Sequence, residues 1–321
     1  MDPENQKIEP AYFLKIITAL AILAAVYFGS LFFKNKPDTS SLNSAEGLNK
    51  LAASLPLAQD VYLTPENEII VPIRNWNVAE PDLSAKSFYV IEITSGKVLA
   101  QKEPDKIQPI ASLSKLITAL VVLERANLKD EITITKNVVD TYGEMGNLKE
   151  GESMTIESLL DALLIESSND AAVALAEKFD GQFVSYMNEK AQILGAKNTH
   201  FSDPSGLSVD NVSTAKDMAK IMQEFIKYPL LAQITRIPEA DILSVDGKHN
   251  HHLTNTDKLL AKYPEIIAGK TGYIDESGNC FAVASAAPHG KGTLINVILN
   301  SQDRIGEMDK LLQWEKNAFL W

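Results

Sequence analysis

The chain has 321 residues, 45% of them hydrophobic and 22% charged, which supplies a core and excludes wholesale disorder. With 30 Lys and Arg against 42 Asp and Glu the formal charge is -12, which opposes a nucleic-acid binder and requires any anionic ligand to be held by a local cationic site. A single cysteine, Cys280, excludes an internal disulfide and any zinc or iron–sulfur centre built from cysteines.

Residues 16–33 form an uncharged apolar run that spans about 27 Å as a helix, close to a bilayer's hydrocarbon thickness, with Lys15 placed to snorkel. The run ends Leu31-Phe32-Phe33-Lys34, without the small residues a signal peptidase needs, so it reads as an uncleaved anchor. Lys7 and Lys15 before it match Lys34 and Lys36 after it, and charge therefore sets no orientation. Residues 34–68 read as a polar tether containing a short amphipathic stretch at 48–57, and the folded part is expected from Ile69.

Two strands are expected at 87–93 and 97–100, joined by Thr94-Ser95-Gly96. Residues 113–126 are apolar on nearly every side, the pattern of a helix buried within a domain. Helical periodicity recurs at 155–166, 169–179, 183–194 and 215–226, and Asp246-Gly247 marks a hairpin. Residues 279–287 and 292–300 alternate like paired strands, and 304–319 is an amphipathic closing helix. Strands at both ends with helices between them imply one sheet assembled from distant segments beside a helical subdomain.

Ser112-Leu113-Ser114-Lys115 places a hydroxyl and an amine three positions apart at the opening of the buried helix. Serine is a weak nucleophile until a base sits against it, and a lysine whose pKa is lowered by burial and a second cation is such a base. Spacing alone does not decide: Ser213-Thr214-Ala215-Lys216 repeats it, with Ser213 expected to cap the helix that follows, and Ser112 alone also reads as a cap. Ser167-Ser168-Asn169 lies at a connection between two helical patterns, where loops present polar groups to clefts. Lys270-Thr271-Gly272 follows Ile266-Ile267-Ala268-Gly269 and fits a strand along which a ligand approaches the backbone at Gly272.

These three elements, in this order, resemble the penicillin-recognising serine enzymes. Over roughly 69–321 the chain resembles their low-molecular-mass branch, the serine-type D-Ala-D-Ala carboxypeptidases. Further similar segments include Asp105-Lys106, Pro109-Ile110-Ala111, Leu148-Lys149-Glu150-Gly151, Asn198-Thr199-His200-Phe201, Ser205-Gly206-Leu207 and the stretch 278–286. The resemblance implies an α+β fold of the β-lactamase/transpeptidase type, with a five-stranded antiparallel sheet, covering helices and an all-helical lobe. It implies that Ser112 attacks the penultimate D-Ala carbonyl, that Lys115 takes its proton and that Ser167 returns a proton to released D-alanine. Asn169 would orient the substrate amide, Lys270 and Thr271 would bind the terminal carboxylate, and the N–H groups of Ser112 and Tyr273 would form the oxyanion hole beside Gly272. The implied partners are a peptidoglycan stem peptide ending in D-Ala-D-Ala, β-lactams and a membrane, with no nucleic acid, metal or cofactor.

Location follows from substrate: residues 1–15 cytoplasmic, 16–33 spanning, 34–68 linking, and a catalytic domain at 69–321 on the outer face of a bacterial plasma membrane. Departures from the family pattern are Ser168, where glycine or aspartate is common, and Ile274, where threonine is. Arg304 reads as a surface ion pair rather than a carboxylate ligand. Three alternatives are a DD-endopeptidase acting on cross-links, a class A-like β-lactamase and a catalytically silent binding protein. The lactamase would need a deacylating glutamate after the second motif, and Glu166, which adjoins Ser167, does not fit that place. His249, His251 and His252 alternate along a hairpin and read as strand residues rather than metal ligands.

Overall fold

The structure, a computed structural model, describes residues 69–141 and 147–321. The expected cytoplasmic segment, span and tether at 1–68 lie outside the described residues. Among the described residues no helix is long and apolar enough to cross a membrane.

The central sheet has five strands in the order Ile266–Ile274, Gly278–Ala286, Thr293–Ser301, Ser87–Glu92, Lys97–Lys102, each pair antiparallel, as expected. Joining the last three strands to the first two leaves the intervening chain to form the helical lobe. Successive residues of Gly278–Ala286 alternate between two cores: Cys280, Ala282 and Ala284 pack with the lobe, whereas Phe281 and Val283 pack under the closing helix Arg304–Ala318 with Met308 and Leu311. A strand buried on both faces explains its nearly continuous apolar sequence.

The buried helix runs Lys115–Arg125, and its eight residues from Lys115 to Val122 are all buried. Its first turn differs from the expectation: Ala111–Ser114 is a 3₁₀ turn entered through Ala111 at a φ of 48°, and Ser112 caps nothing there. The pattern at 155–166 is not one regular helix. Ile156–Asp161 widens into a π-turn at Ala162–Glu166, and the chain leaves it through Ser167 at a φ of 71°. Ser168 then caps the next helix, Asn169–Glu177, accepting the Ala171 N–H at 3.0 Å. Ser167 is thereby freed from capping.

Ser213 is not the cap of helix Ala215–Phe225. It belongs to a two-residue strand, Val212–Ser213, and Thr214 caps instead by accepting the Asp217 N–H at 3.0 Å. Capping needs extended backbone one residue before the helix, and Thr214 occupies that place. The hairpin pairs Glu239–Leu243 with Asn250–Thr254. Phe319, expected in the closing helix, turns extended with Leu320 and pairs with Ile73–Arg74.

Candidate active site

Ser112, Ser167, Asn169, Thr271, Gly272 and Tyr273 line one cleft of about 150 Å³ between the lobe and the edge strand Ile266–Ile274. The 3₁₀ turn places Ser112 above Lys115, whose side chain is fully buried beneath it. The Lys115 amine reaches three oxygens: Ser112 Oγ at 3.0 Å, Asn169 Oδ1 at 2.8 Å and the Ser205 carbonyl at 2.6 Å. Burial lowers the Lys115 pKa to about 7, against a smaller upward pull from Asp203. Burial, rather than a second cation, is therefore the main cause. In the neutral amine two hydrogens serve Asn169 and Ser205, which leaves the lone pair for the Ser112 hydroxyl.

Lys270 stands on the strand with its amine 2.7 Å from Ser167 Oγ and 3.0 Å from the Thr271 carbonyl. Burial first, then the charges of Lys115 and Arg304, hold its pKa well below the ordinary lysine value, while Asp257 pulls the other way. Since Lys270 donates to Ser167 Oγ, the Ser167 proton is free to point at a group in the cleft. Thr271 Oγ1 contacts Thr256 Oγ1 at 2.7 Å. Gly272 lets the strand approach closely: a β-carbon would meet the Ile110 carbonyl at 3.0 Å and the Ser112 nitrogen at 3.1 Å, tighter than ordinary contact. Tyr273 is 53% exposed and its hydroxyl donates to Asp275 at 2.9 Å, so its contribution at the cleft is backbone.

All eight residues expected at the site converge. The second Ser-x-x-Lys pair, Ser213 and Lys216, lies elsewhere: Ser213 Oγ meets Thr199 Oγ1 at 2.7 Å and Lys216 pairs with Asp105 at 3.4 Å. Arg304 is not a surface ion pair. It lines the cleft and donates to the Gly272 carbonyl at 2.8 Å, with no carboxylate partner among the described residues. Glu166 lines a separate cavity with His249, His251 and His252. His251 is held by Glu152 at 3.0 Å and His252 by Asp241 at 3.1 Å.

Sequence reasoning assigned no role to Asp203, Ser205, Gly206 or Thr256. One Asp203 oxygen accepts from the Ser205 and Gly206 N–H groups and the Ser205 hydroxyl at 2.6–2.7 Å, and the other from the Ser208 N–H at 2.8 Å. That clamp aims the Ser205 carbonyl at Lys115. The signal was present as an Asp-Pro-Ser-Gly run, a turn composition, but nothing local shows which amine a turn carbonyl will meet.

Residues 74–303 match the family model described as D-alanyl-D-alanine carboxypeptidase. A D-alanyl-D-alanine carboxypeptidase of Mycobacterium tuberculosis is 39% identical over 68% of this chain and 76% of its own length. A D-alanyl-D-alanine endopeptidase of Pseudomonas aeruginosa is 33% identical over 75% of this chain and 78% of its own. The crystal structure of the Streptomyces K15 DD-transpeptidase superposes with a TM-score of 0.70 at 28% identity, covering 75% of this chain and all of that one.

Proposed function

The chain belongs to the D-alanyl-D-alanine carboxypeptidase family, and from that premise we propose that it removes the terminal D-alanine of peptidoglycan stem peptides through an acyl-enzyme on Ser112. The observation that carries this reading is the buried Lys115 amine 3.0 Å from the Ser112 hydroxyl, with a pKa near 7 that lets it accept a proton.

In acylation the Ser112 proton passes to Lys115 Nζ as Oγ bonds to the penultimate D-Ala carbonyl carbon. The oxyanion is held by the N–H groups of Ser112 and Tyr273, each such donor contributing roughly 3 kcal/mol. The C–N bond then breaks as Ser167, held by Lys270 at 2.7 Å, delivers its proton to the leaving amine and is reprotonated at the expense of the Lys115 ammonium, which becomes a neutral amine again. Lys270 and Thr271 bind the terminal carboxylate, a local cationic site in a protein of charge -12. Water, deprotonated by Lys115, releases the acyl group. The same serine reacts with β-lactams, whose ring amide takes the place of the scissile peptide.

A relative that carries the name endopeptidase favours one second reading, in which the leaving group is the cross-linked stem of a neighbouring strand. The proposed location is the outer face of a bacterial plasma membrane, since the substrate lies there and the apolar run at 16–33 precedes the domain by a tether.

Incubating the full chain with a stem pentapeptide and with a cross-linked dimer, then weighing the products, separates the two activities. D-alanine release from the pentapeptide and a stoichiometric penicillin adduct are expected, both lost in Ser112→Ala with folding intact. Turnover that survives Ser112→Ala defeats the assigned nucleophile; rapid hydrolysis of the penicillin makes the protein a lactamase.

A further inference from the structure

Thr271, one of the two residues assigned to the terminal carboxylate, is only 2% exposed, and its hydroxyl is already engaged: it donates to Thr256 Oγ1 at 2.7 Å. Thr256 lines the same cleft and is the more open of the two residues, being half-buried. Two hydroxyls bonded to each other hold two protons and share one of them. Thr271 supplies the shared proton, and the Thr256 proton has no acceptor among the described residues. A carboxylate, which only accepts, is the partner that this remaining O–H lacks. Accepting from Thr271 also polarises the Thr256 hydroxyl and strengthens it as a donor.

The backbone holds Thr256 in that place. It lies two residues after the hairpin strand Asn250–Thr254, and its N–H donates to the Ile165 carbonyl of the π-turn at 3.2 Å. The preceding residue is tied down as well: the Asn255 side-chain amide donates to the Thr235 and Ile237 carbonyls at 2.9 and 2.8 Å, and the Asn255 N–H to the Pro238 carbonyl at 2.8 Å. Asn255 Oδ1 then accepts the Asp257 N–H at 2.8 Å, which fixes the chain on the far side of Thr256. Thr256 is thus bonded through its backbone to the turn that carries Ser167 and through its hydroxyl to the strand that carries Lys270 and Thr271. It joins the two walls of the cleft.

We propose that Thr256 is a substrate-binding residue: its hydroxyl, backed by that of Thr271, donates to the terminal carboxylate that Lys270 draws into the cleft, so that Thr271 acts through Thr256. The inference rests on the carboxypeptidase reading, through the carboxylate assigned to Lys270 and Thr271, and gives that carboxylate a contact from outside the strand.

The test is Thr256→Val, which keeps the shape of the side chain and the backbone bond to Ile165 and removes the hydroxyl. KM and kcat for D-alanine release from a D-Ala-D-Ala peptide are measured on the full chain, beside Thr256→Ser, Thr271→Val and the double variant Thr256→Val with Thr271→Val. Loss of one hydrogen bond to a carboxylate raises KM in Thr256→Val about tenfold, with kcat changed less than about twofold. Thr256→Ser, which keeps the donor, stays within about twofold of the parent. In the double variant KM is no higher than in Thr256→Val alone, because Thr271 has lost its route to the ligand. The proposal is overturned by a KM that Thr256→Val leaves unmoved, by a Thr256→Ser as impaired as the valine variant, or by single effects that multiply in the double. A fall in kcat at constant KM also overturns it, since that result makes Thr256 a support for the Ser167 turn. If Thr256→Val loses its cooperative melt, Thr256→Ala is measured in its place. A parent protein that releases no D-alanine defeats the carboxypeptidase reading; an active parent whose KM ignores the Thr256 hydroxyl defeats only the role of Thr256.

Discussion

Gly206 lies so close to Ala111 that a β-carbon on it would fall 2.1 Å from the Ala111 carbonyl oxygen and 2.9 Å from the Ser112 nitrogen. Its φ of 87° is also one that side chains resist. The turn clamped by Asp203 thus abuts the backbone of the nucleophile directly. Gly206→Ala should cost about 2 kcal/mol or more and displace Ser112. A lowered melting temperature together with slowed penicillin acylation is the expected result; unchanged acylation would show that the Ser112 turn tolerates displacement.

Lys115 sets the acid side of the pH profile. Its folded pKa is lowered to about 7 and the neutral amine is the active form, so kcat/KM should rise as pH increases through about 7. Lys115→Arg fixes a proton that cannot be given up and should reduce acylation by about a thousandfold. Stopped-flow acylation with a chromogenic β-lactam reads both effects.

Asp203 acts on that same limb. Its charge raises the Lys115 pKa, so Asp203→Asn should move the rise in kcat/KM toward lower pH. The N–H groups of Ser205, Gly206 and Ser208 lose charge-assisted bonds as well, a cost of about 1–3 kcal/mol. A pH profile and a urea melt separate the electrostatic effect from the structural one.

Glu315 is 2% exposed on the closing helix, and burial raises its pKa to about 8 against smaller downward pulls from Asn296 and Lys316. A carboxyl whose folded pKa lies above its unfolded value binds its proton more tightly when folded. Stability is therefore greatest below the unfolded pKa and falls as pH rises toward about 8, beyond which no more is lost. Glu315→Gln removes the titration, so its melting temperature should gain on the parent's as pH climbs from about 5 to about 8. A gap between the two that stays constant with pH would show that Glu315 does not titrate in this range.

Much of the site was legible because its chemistry is written locally. Ser112 and Lys115 share one helical turn, and Lys270, Thr271 and Gly272 follow one another on a strand, so each element stood out locally, and the resemblance carried by the three in order supplied their roles. The capping residues were less legible. Thr214 caps where Ser213 was expected to, and Ser112, which read as a cap when taken alone, caps nothing, since a cap depends on the backbone dihedral at one residue, and a hydroxyl one position away has the same composition.

By itself the sequence determined the acidic charge, the buried helix, the alternating strands at both ends and the three motifs in their order, because periodicity and residue type act over a few residues. Both Ser-x-x-Lys pairs have the spacing, and the three motifs in order already favoured Ser112; only the tertiary structure shows what differs physically, since Lys115 is buried against the Asn169 and Ser205 oxygens whereas Lys216 pairs with Asp105. The tertiary structure also decided that Arg304 turns inward to the Gly272 carbonyl. Desolvation and the approach of charges from distant segments set those properties, and neither exists until the sheet has closed on the lobe.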